Sequence, residues 1–333
     1  MMPIEDVLLC VERLDEVSEF LSDSPAFTLD HEPMNHPQIE QILHAASRTK
    51  YIENYHHGMT TGVALMRRKD KEAVIQSYFD HGYRSFGITI HGGAAHHDEI
   101  VRRKGAFDTT VSAAKFLLQM GAQLKISLMM NRYFAEDAEE ISRLIDTLGT
   151  EAVRLVNPIF TPHSNMMAFE PHRATLRTFE AIRPYLSHWH LKERDVMQTA
   201  QQNTVEAAMN RLQTTDLHQL WNAPQTELYL TLHPDCKFYV GNSGVETMCL
   251  GDLRTLDAKK TATIINALPR NREYGAFYAE ENLPPIETVY KALNTMPQDL
   301  VFGDFESVLY RAFAEAGVPT TFICDAICMD DYS

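Results

Sequence analysis

Thr28-Leu29-Asp30-His31-Glu32-Pro33-Met34-Asn35-His36-Pro37 closes a short apolar run and opens a helix. A strand, a polar turn with proline and a helix make one βα step. One step decides little, and its repetition along the chain decides the fold. Upstream, Ile4, Val7, Leu8, Val11, Leu14, Val17 and Leu21 recur at helical spacing behind Pro3, which predicts an amphipathic helix over residues 4–21. Residues 26–29 then read as a short buried strand and 37–46 as the helix after the turn.

The step recurs downstream. Residues 50–54 read as a strand, Tyr55-His56-His57-Gly58 as its turn, and 71–81 as a helix stopped by Gly82. Residues 85–90 form the next strand, with the turn His91-Gly92-Gly93 and a helix over 110–120 stopped by Gly121. The strand 123–129 ends near Asn131, and a helix over 138–148 stops at Gly149. A further strand, 152–156, runs into Asn157-Pro158. Strands alternating with helices through short connections predict parallel strands joined by crossover helices, here a partial parallel (β/α) TIM-like barrel. In such a sheet, ligands gather where strands end and helix N-termini begin. Glu32, His56, His57, Thr89, His91, Asn131 and Asn157 are therefore expected at one mouth.

The alternation changes after residue 213. Residues 227–232 alternate with period two, His233-Pro234-Asp235 makes a turn, and 237–240 is its hairpin partner. A helix over 258–268 follows, and Pro284-Pro285 mark a boundary. The expected units are a barrel over 1–215, a small β-containing extension over 216–283, and a helical segment over 284–333 that ends in Cys324-x3-Cys328.

The chain has 333 residues, 44% hydrophobic and 23% charged, with a formal net charge of −15. That balance opposes a nucleic-acid or anionic-membrane footprint and favours small molecules or peptides as partners. No apolar run approaches the roughly 20 residues needed to cross a bilayer, and the N-terminus lacks a basic-then-apolar leader, so a cytoplasmic location is expected. Five cysteines, an odd number, argue for reduced thiols. Cys10, Cys236 and Cys249 have no ligand spacing and read as buried apolar thiols.

The order of turns resembles the radical S-adenosylmethionine superfamily, in particular the group with a twitch or SPASM-type extension. The resemblance covers roughly residues 4–268. Asp30-His31-Glu32-Pro33 and His36-Pro37 are similar to the family's Gly-Gly-Glu-Pro and His-Pro turn, with Asp30 and His31 in place of both glycines. Thr89-Ile90-His91-Gly92, His97-Asp98, Arg102-Arg103 and Gly105-Ala106-Phe107-Asp108 match the family's Ser-x-Asp-Gly, His-Asp, Arg and Gly-Ser-Phe-Asp at the same spacings. Leu117-Leu118 through Gly121 to Asn131 is similar to the next unit. The hairpin at Asp235 and Leu250-Gly251-Asp252-Leu253 resemble the extension.

The resemblance implies an enzyme that uses S-adenosylmethionine and a four-iron four-sulfur cluster for radical modification of a small molecule or peptide, served by a reductase or other partner protein. It places Glu32 on the cofactor's ammonium, Thr89 in contact with the cofactor, Arg102 or Arg103 on its carboxylate, and Asn131 on its ribose. Without that reading, Glu32 is a helix N-terminal carboxylate, the arginines are solvated helix charges, and Asn131 caps a turn. The family's C-x3-C-x2-C motif would precede residue 4, so the cluster segment is expected upstream of Met1 or from the C-terminus. There Cys324-x3-Cys328-x2-Asp331 repeats the spacing with aspartate as the third ligand. Two rival functions remain open. One is a non-catalytic binding or partner protein of the same fold. The other is a metal-dependent enzyme using His56, His57, His91, His96 and His97 with Asp98 and Glu99.

Overall fold

The computed structural model describes residues 2–22, 29, 32–49, 57–160, 169–217, 230–240, 249–268 and 284–317. The strands expected at 26–29 and 50–54 fall largely or wholly outside that range, as do His56 and Cys324, Cys328 and Asp331.

Four strands, β1 (His57–Met59), β2 (Ser85–Ile90), β3 (Gln123–Met129) and β4 (Val153–Val156), pair in sequence order, all parallel. Helices α1 (Ile4–Ser18), α2 (Ile39–Ala46), α3 (Val63–Arg67), α4 (Lys71–Asp80), α5 (Ala94–Ile100), α6 (Ala106–Gln119) and α7 (Phe134–Leu148) precede or connect them. Phe86, Ile88 and Ile90 of β2 and Leu124, Ile126 and Leu128 of β3 are buried with Val74 and Ile75 of α4, Ala113 and Leu117 of α6, and Ile141 and Leu144 of α7. One face of the sheet is thus packed under helices. Because strand side chains alternate, the opposite face carries Ser85, Gly87, Thr89, Lys125, Ser127 and Arg154. The described strands form an open sheet, a partial β/α fold.

The turn expected at residues 55–58 is corrected at its end. His57 and Gly58 belong to β1 and pair with Ser85 and Phe86. A Cβ on Gly58 would lie 2.6 Å from the Phe86 ring, so the glycine marks a close side-chain approach rather than a chain reversal. Two helices also start earlier than periodicity predicts, α6 at Ala106 and α7 at Phe134. Their first turns carry few apolar periods and are fixed by the turns preceding them.

Beyond β4 come α8 (Leu176–Ile182), α9 (Glu193–Gln202) and α10 (Val205–Leu212). A second sheet, β5 (Leu230–Leu232), β6 (Lys237–Val240) and β7 (Cys249–Asp252), is antiparallel. Its Phe238 and Cys236 share a core with Cys10 and Val17 of α1 and with Ala262 and Ile265 of α11 (Ala258–Asn266). Helices α12 (Ile286–Thr295) and α13 (Phe305–Glu315) form a third core with α10. Arg173 joins that core to the parallel sheet. Its buried guanidinium donates to the carbonyls of Pro158 and Val301, pairs with Glu170, and stacks 4.0 Å from the Phe302 ring.

Candidate functional site

The carboxyl ends of β1, β2 and β3 run into short polar turns, and four carboxylates shape them. Glu32 precedes the 3-10 turn Pro33–Asn35 and reaches the end of β1. Its Oε1 accepts the Thr60 hydroxyl at 2.9 Å, and its Oε2 accepts the Thr61 N–H at 2.6 Å. Both carboxylate oxygens are thus engaged at the end of β1, and the charge stays on a group that can also face a cation.

At the end of β2 the backbone turns at Gly92 and Gly93. Asp137 of α7 accepts the Gly93 N–H at 2.8 Å, and Glu140 accepts the Ala94 N–H at 2.9 Å, which satisfies amides at the start of α5. Gly92 has φ 136, and a Cβ there would stand 2.5 Å from Asp137 Oδ2. The glycines therefore admit the two carboxylates. Asp137 also holds Nδ1 of His96 at 2.9 Å, and the His96 ring stacks on Tyr133 at 3.9 Å between centroids.

The fourth carboxylate is Asp98. It accepts the N–H groups of Gly105 and Phe107, at 2.5 and 2.9 Å, and so caps α6 from the end of α5. The matching His-Asp and Gly-x-Phe segments are thus one hydrogen-bonded turn. Within it Arg102 sits exposed with φ 53, a left-handed conformation rare for a side-chain-bearing residue, while Arg103 is half-buried. His97 accepts the His91 N–H on its Nδ1 at 3.1 Å. Both rings are buried, which pushes the His91 pKa down to about 3 and that of His97 down to about 4. They are neutral groups in the turn.

Asn131 is fully buried and committed to the fold. Its Nδ2 donates to the carbonyls of His91, at 2.6 Å, and Met129, and its Oδ1 accepts the Tyr133 N–H at 3.0 Å. It ties the ends of β2 and β3 together, the turn-capping role. Tyr133 donates to Glu99 at 2.8 Å and accepts from Arg132 at 2.8 Å. His172 lies 5.6 Å from the Tyr133 ring, and burial together with Arg132 and Arg102 lowers its pKa.

Glu32 thus lies beside the end of β1, Thr89 near the end of β2, and Arg102 and Arg103 in the Asp98 turn after α5, while Asn131 ties the ends of β2 and β3. Thr89 is half-buried on the open face of β2, in register with Ser127. Among the described residues, no three His, Cys, Asp or Glu side chains converge as a metal-ligand set. Sequence reasoning did not find Asp137 and Glu140, because acidic residues in the first turns of an amphipathic helix carry no signal of a distant partner. It also did not find Lys125 and Arg154, whose period-two placement on the open face was the available signal.

These residues fit S-adenosylmethionine in part. A carboxylate at Glu32, an open-face hydroxyl at Thr89 and the cations at 102 and 103 suit an amino-acid zwitterion. The iron–sulfur cluster finds no thiolate set among the described residues.

The fold has solved counterparts. The structure of native anSMEcpe with bound AdoMet is 11% identical, with a TM-score of 0.51 over 95% of this chain and 88% of that chain. The same protein with bound AdoMet and the Cp18Cys peptide is 10% identical, with a TM-score of 0.51 over 95% of this chain and 89% of that chain. At such identity the likeness is one of fold. No protein-family model and no curated protein matches the sequence.

Proposed function

We propose that this chain is a radical S-adenosylmethionine-type protein that binds S-adenosylmethionine at the carboxyl ends of β1–β3 and acts on a peptide or small molecule held against the open face of the sheet. The observation that carries this reading is Glu32. Its carboxylate, fixed at the end of β1 by the Thr60 hydroxyl and the Thr61 N–H, has the chemistry to accept the ligand's ammonium, and the fold is similar to structures solved with AdoMet. Thr89 and Arg102 or Arg103 take the amino and carboxylate groups beside it.

S-adenosylmethionine bound at a reduced cluster would supply radical chemistry toward a substrate held beside it. The cluster would be held by Cys324, Cys328 and Asp331 or by a segment upstream of Met1, with electrons from a reductase or other partner protein. The twitch-like extension, β5–β7 with α11, would shape the substrate side. A second reading is favoured by Asp30 and His31, which stand where the family has glycines. A binding protein without radical chemistry would retain the ligand site alone.

Anaerobic reconstitution followed by iron and sulfide assay separates the two. Stoichiometric iron and sulfide with cofactor cleavage supports the enzyme. Cofactor binding without iron supports the binding protein. Tight zinc with neither would replace both readings by metal chemistry.

A further inference from the structure

The open face of the parallel sheet carries a pair of cations in a chain of net charge −15. Arg154 of β4 stands in register with Ser127 of β3, which stands in register with Thr89 of β2, so the three form one row across adjacent strands. Arg154 Nε donates to Ser127 Oγ at 2.7 Å, and Ser127 is only 4% exposed, which anchors the guanidinium on the sheet. Nε is the guanidinium's only donor with an acceptor among the described residues, so the Nη1–Nη2 edge has none.

Lys125 lies two residues before Ser127 on the same face. It is opposite Gly87, which has no side chain to crowd it. With strands about 4.8 Å apart and a rise of about 3.3 Å per residue, the Cα atoms of Lys125 and Arg154 are about 8 Å apart. Two long side chains at that separation can meet on one oxyanion. Both are exposed, and neither has a carboxylate partner among the described residues. Other exposed arginines of this chain do find such partners, including Arg183 with Glu193 and Arg254 with Asp252. A planar guanidinium edge beside an ammonium suits a carboxylate or phosphate group, bound bidentately by one and as a point charge by the other.

We propose that Lys125 and Arg154, one and two strands across from Thr89, form an oxyanion subsite on the open face of the sheet, which holds an anionic group carried by the substrate. This rests on the reading of that face as the substrate side, and it deepens that reading by fixing the substrate's charge. The source of the oxyanion is either an acidic peptide side chain or a small phosphorylated or carboxylated molecule.

Calorimetry with inorganic phosphate, and fluorescence anisotropy with a labelled tetra-aspartate peptide and its tetra-asparagine counterpart, test the subsite on the full chain. Wild type binds phosphate or the aspartate peptide, and the arm that binds more tightly identifies the source. The asparagine peptide binds at least tenfold more weakly than the aspartate peptide. Lys125→Gln with Arg154→Gln weakens oxyanion binding at least tenfold, and Lys115→Gln, on the exposed side of α6, leaves it unchanged. On wild-type protein, where no variant needs to fold, the oxyanion probe that binds more tightly slows phenylglyoxal modification of Arg154 and leaves that of exposed Arg143 unchanged. Absence of binding by both oxyanion probes, undiminished binding in a folded double variant, or no protection of Arg154 overturns the subsite. S-adenosylmethionine is titrated on the same samples: its failure to bind would overturn the cofactor reading and leave the oxyanion result standing.

Discussion

Glu32 Oε2 accepts the Thr61 N–H at 2.6 Å, so the turn before α2 and the turn after β1 are a single hydrogen-bonded unit. The same carboxylate takes the Thr60 hydroxyl, which in turn accepts the Gly62 N–H at 2.9 Å. A residue expected to meet a ligand is also what holds its own turn in place.

Glu32→Gln keeps the shape and replaces one accepting oxygen with a donor. The charge-assisted contact is lost, and either the Thr61 N–H or the Thr60 hydroxyl must find another partner. A stability loss of about 1–2 kcal/mol in urea denaturation is expected. Glu32→Ala should lose more, because neither donor then has an acceptor.

Asp98 joins α5 to α6 by accepting two N–H groups. Asp98→Ala removes the cap of α6 and frees the turn that holds Arg102 in its left-handed conformation. A loss of about 1–2 kcal/mol is expected by thermal or urea unfolding. Asp98→Asn, which keeps one acceptor, should recover part of it.

Gly92→Ala meets two obstacles at once, a φ of 136 and an oxygen of Asp137 at 2.5 Å. The loss should be on the order of 2 kcal/mol or more. Combining it with Asp137→Ala relieves the clash but not the backbone strain. The double variant should therefore lose less than the sum of the two single losses, as a double-mutant cycle measures.

The buried imidazoles set a pH dependence. His97 has its pKa pushed down to about 4 and His91 to about 3, below the ordinary value of 6.5, because burial disfavours the cation. Below pH 6.5 the unfolded chain binds protons that the folded chain refuses. The stability these rings contribute is thus complete above about pH 6.5 and falls as pH drops toward their folded values, by on the order of 3 kcal/mol for His97. Protonation of His97 Nδ1 would also break the bond it accepts from the His91 N–H. Urea midpoints between pH 7.5 and 4.5 should fall in wild type, and the slope should flatten in a His97→Gln variant.

The sequence displays the parallel sheet well because β2 and β3 are long apolar strands punctuated by glycines, each followed by a helix. It misplaces β1, where His57 and Gly58 look like turn residues and the pairing with Ser85 and Phe86 is non-local. Asp98 and its glycine turn are legible as a motif, since both partners lie within ten residues. Asn131 is legible as polar and strand-terminal, but its destination is not. Whether an amide faces a ribose or its own backbone depends on the distance between the ends of β2 and β3, which the sequence does not record. The same holds for Asp137 and Glu140, whose partners lie more than forty residues away.

Binding of S-adenosylmethionine to the full chain, measured by isothermal titration calorimetry with wild type and Thr89→Val, is the decisive measurement. The Thr89 hydroxyl makes no hydrogen bond among the described residues, so this near-isosteric change should leave the fold intact. Saturable binding by wild type, weakened about tenfold in Thr89→Val as expected for one lost hydrogen bond to a charged group, is the predicted result. No saturable heat with wild type, or equal affinity in both proteins, would contradict the placement of the cofactor at the ends of β1–β3.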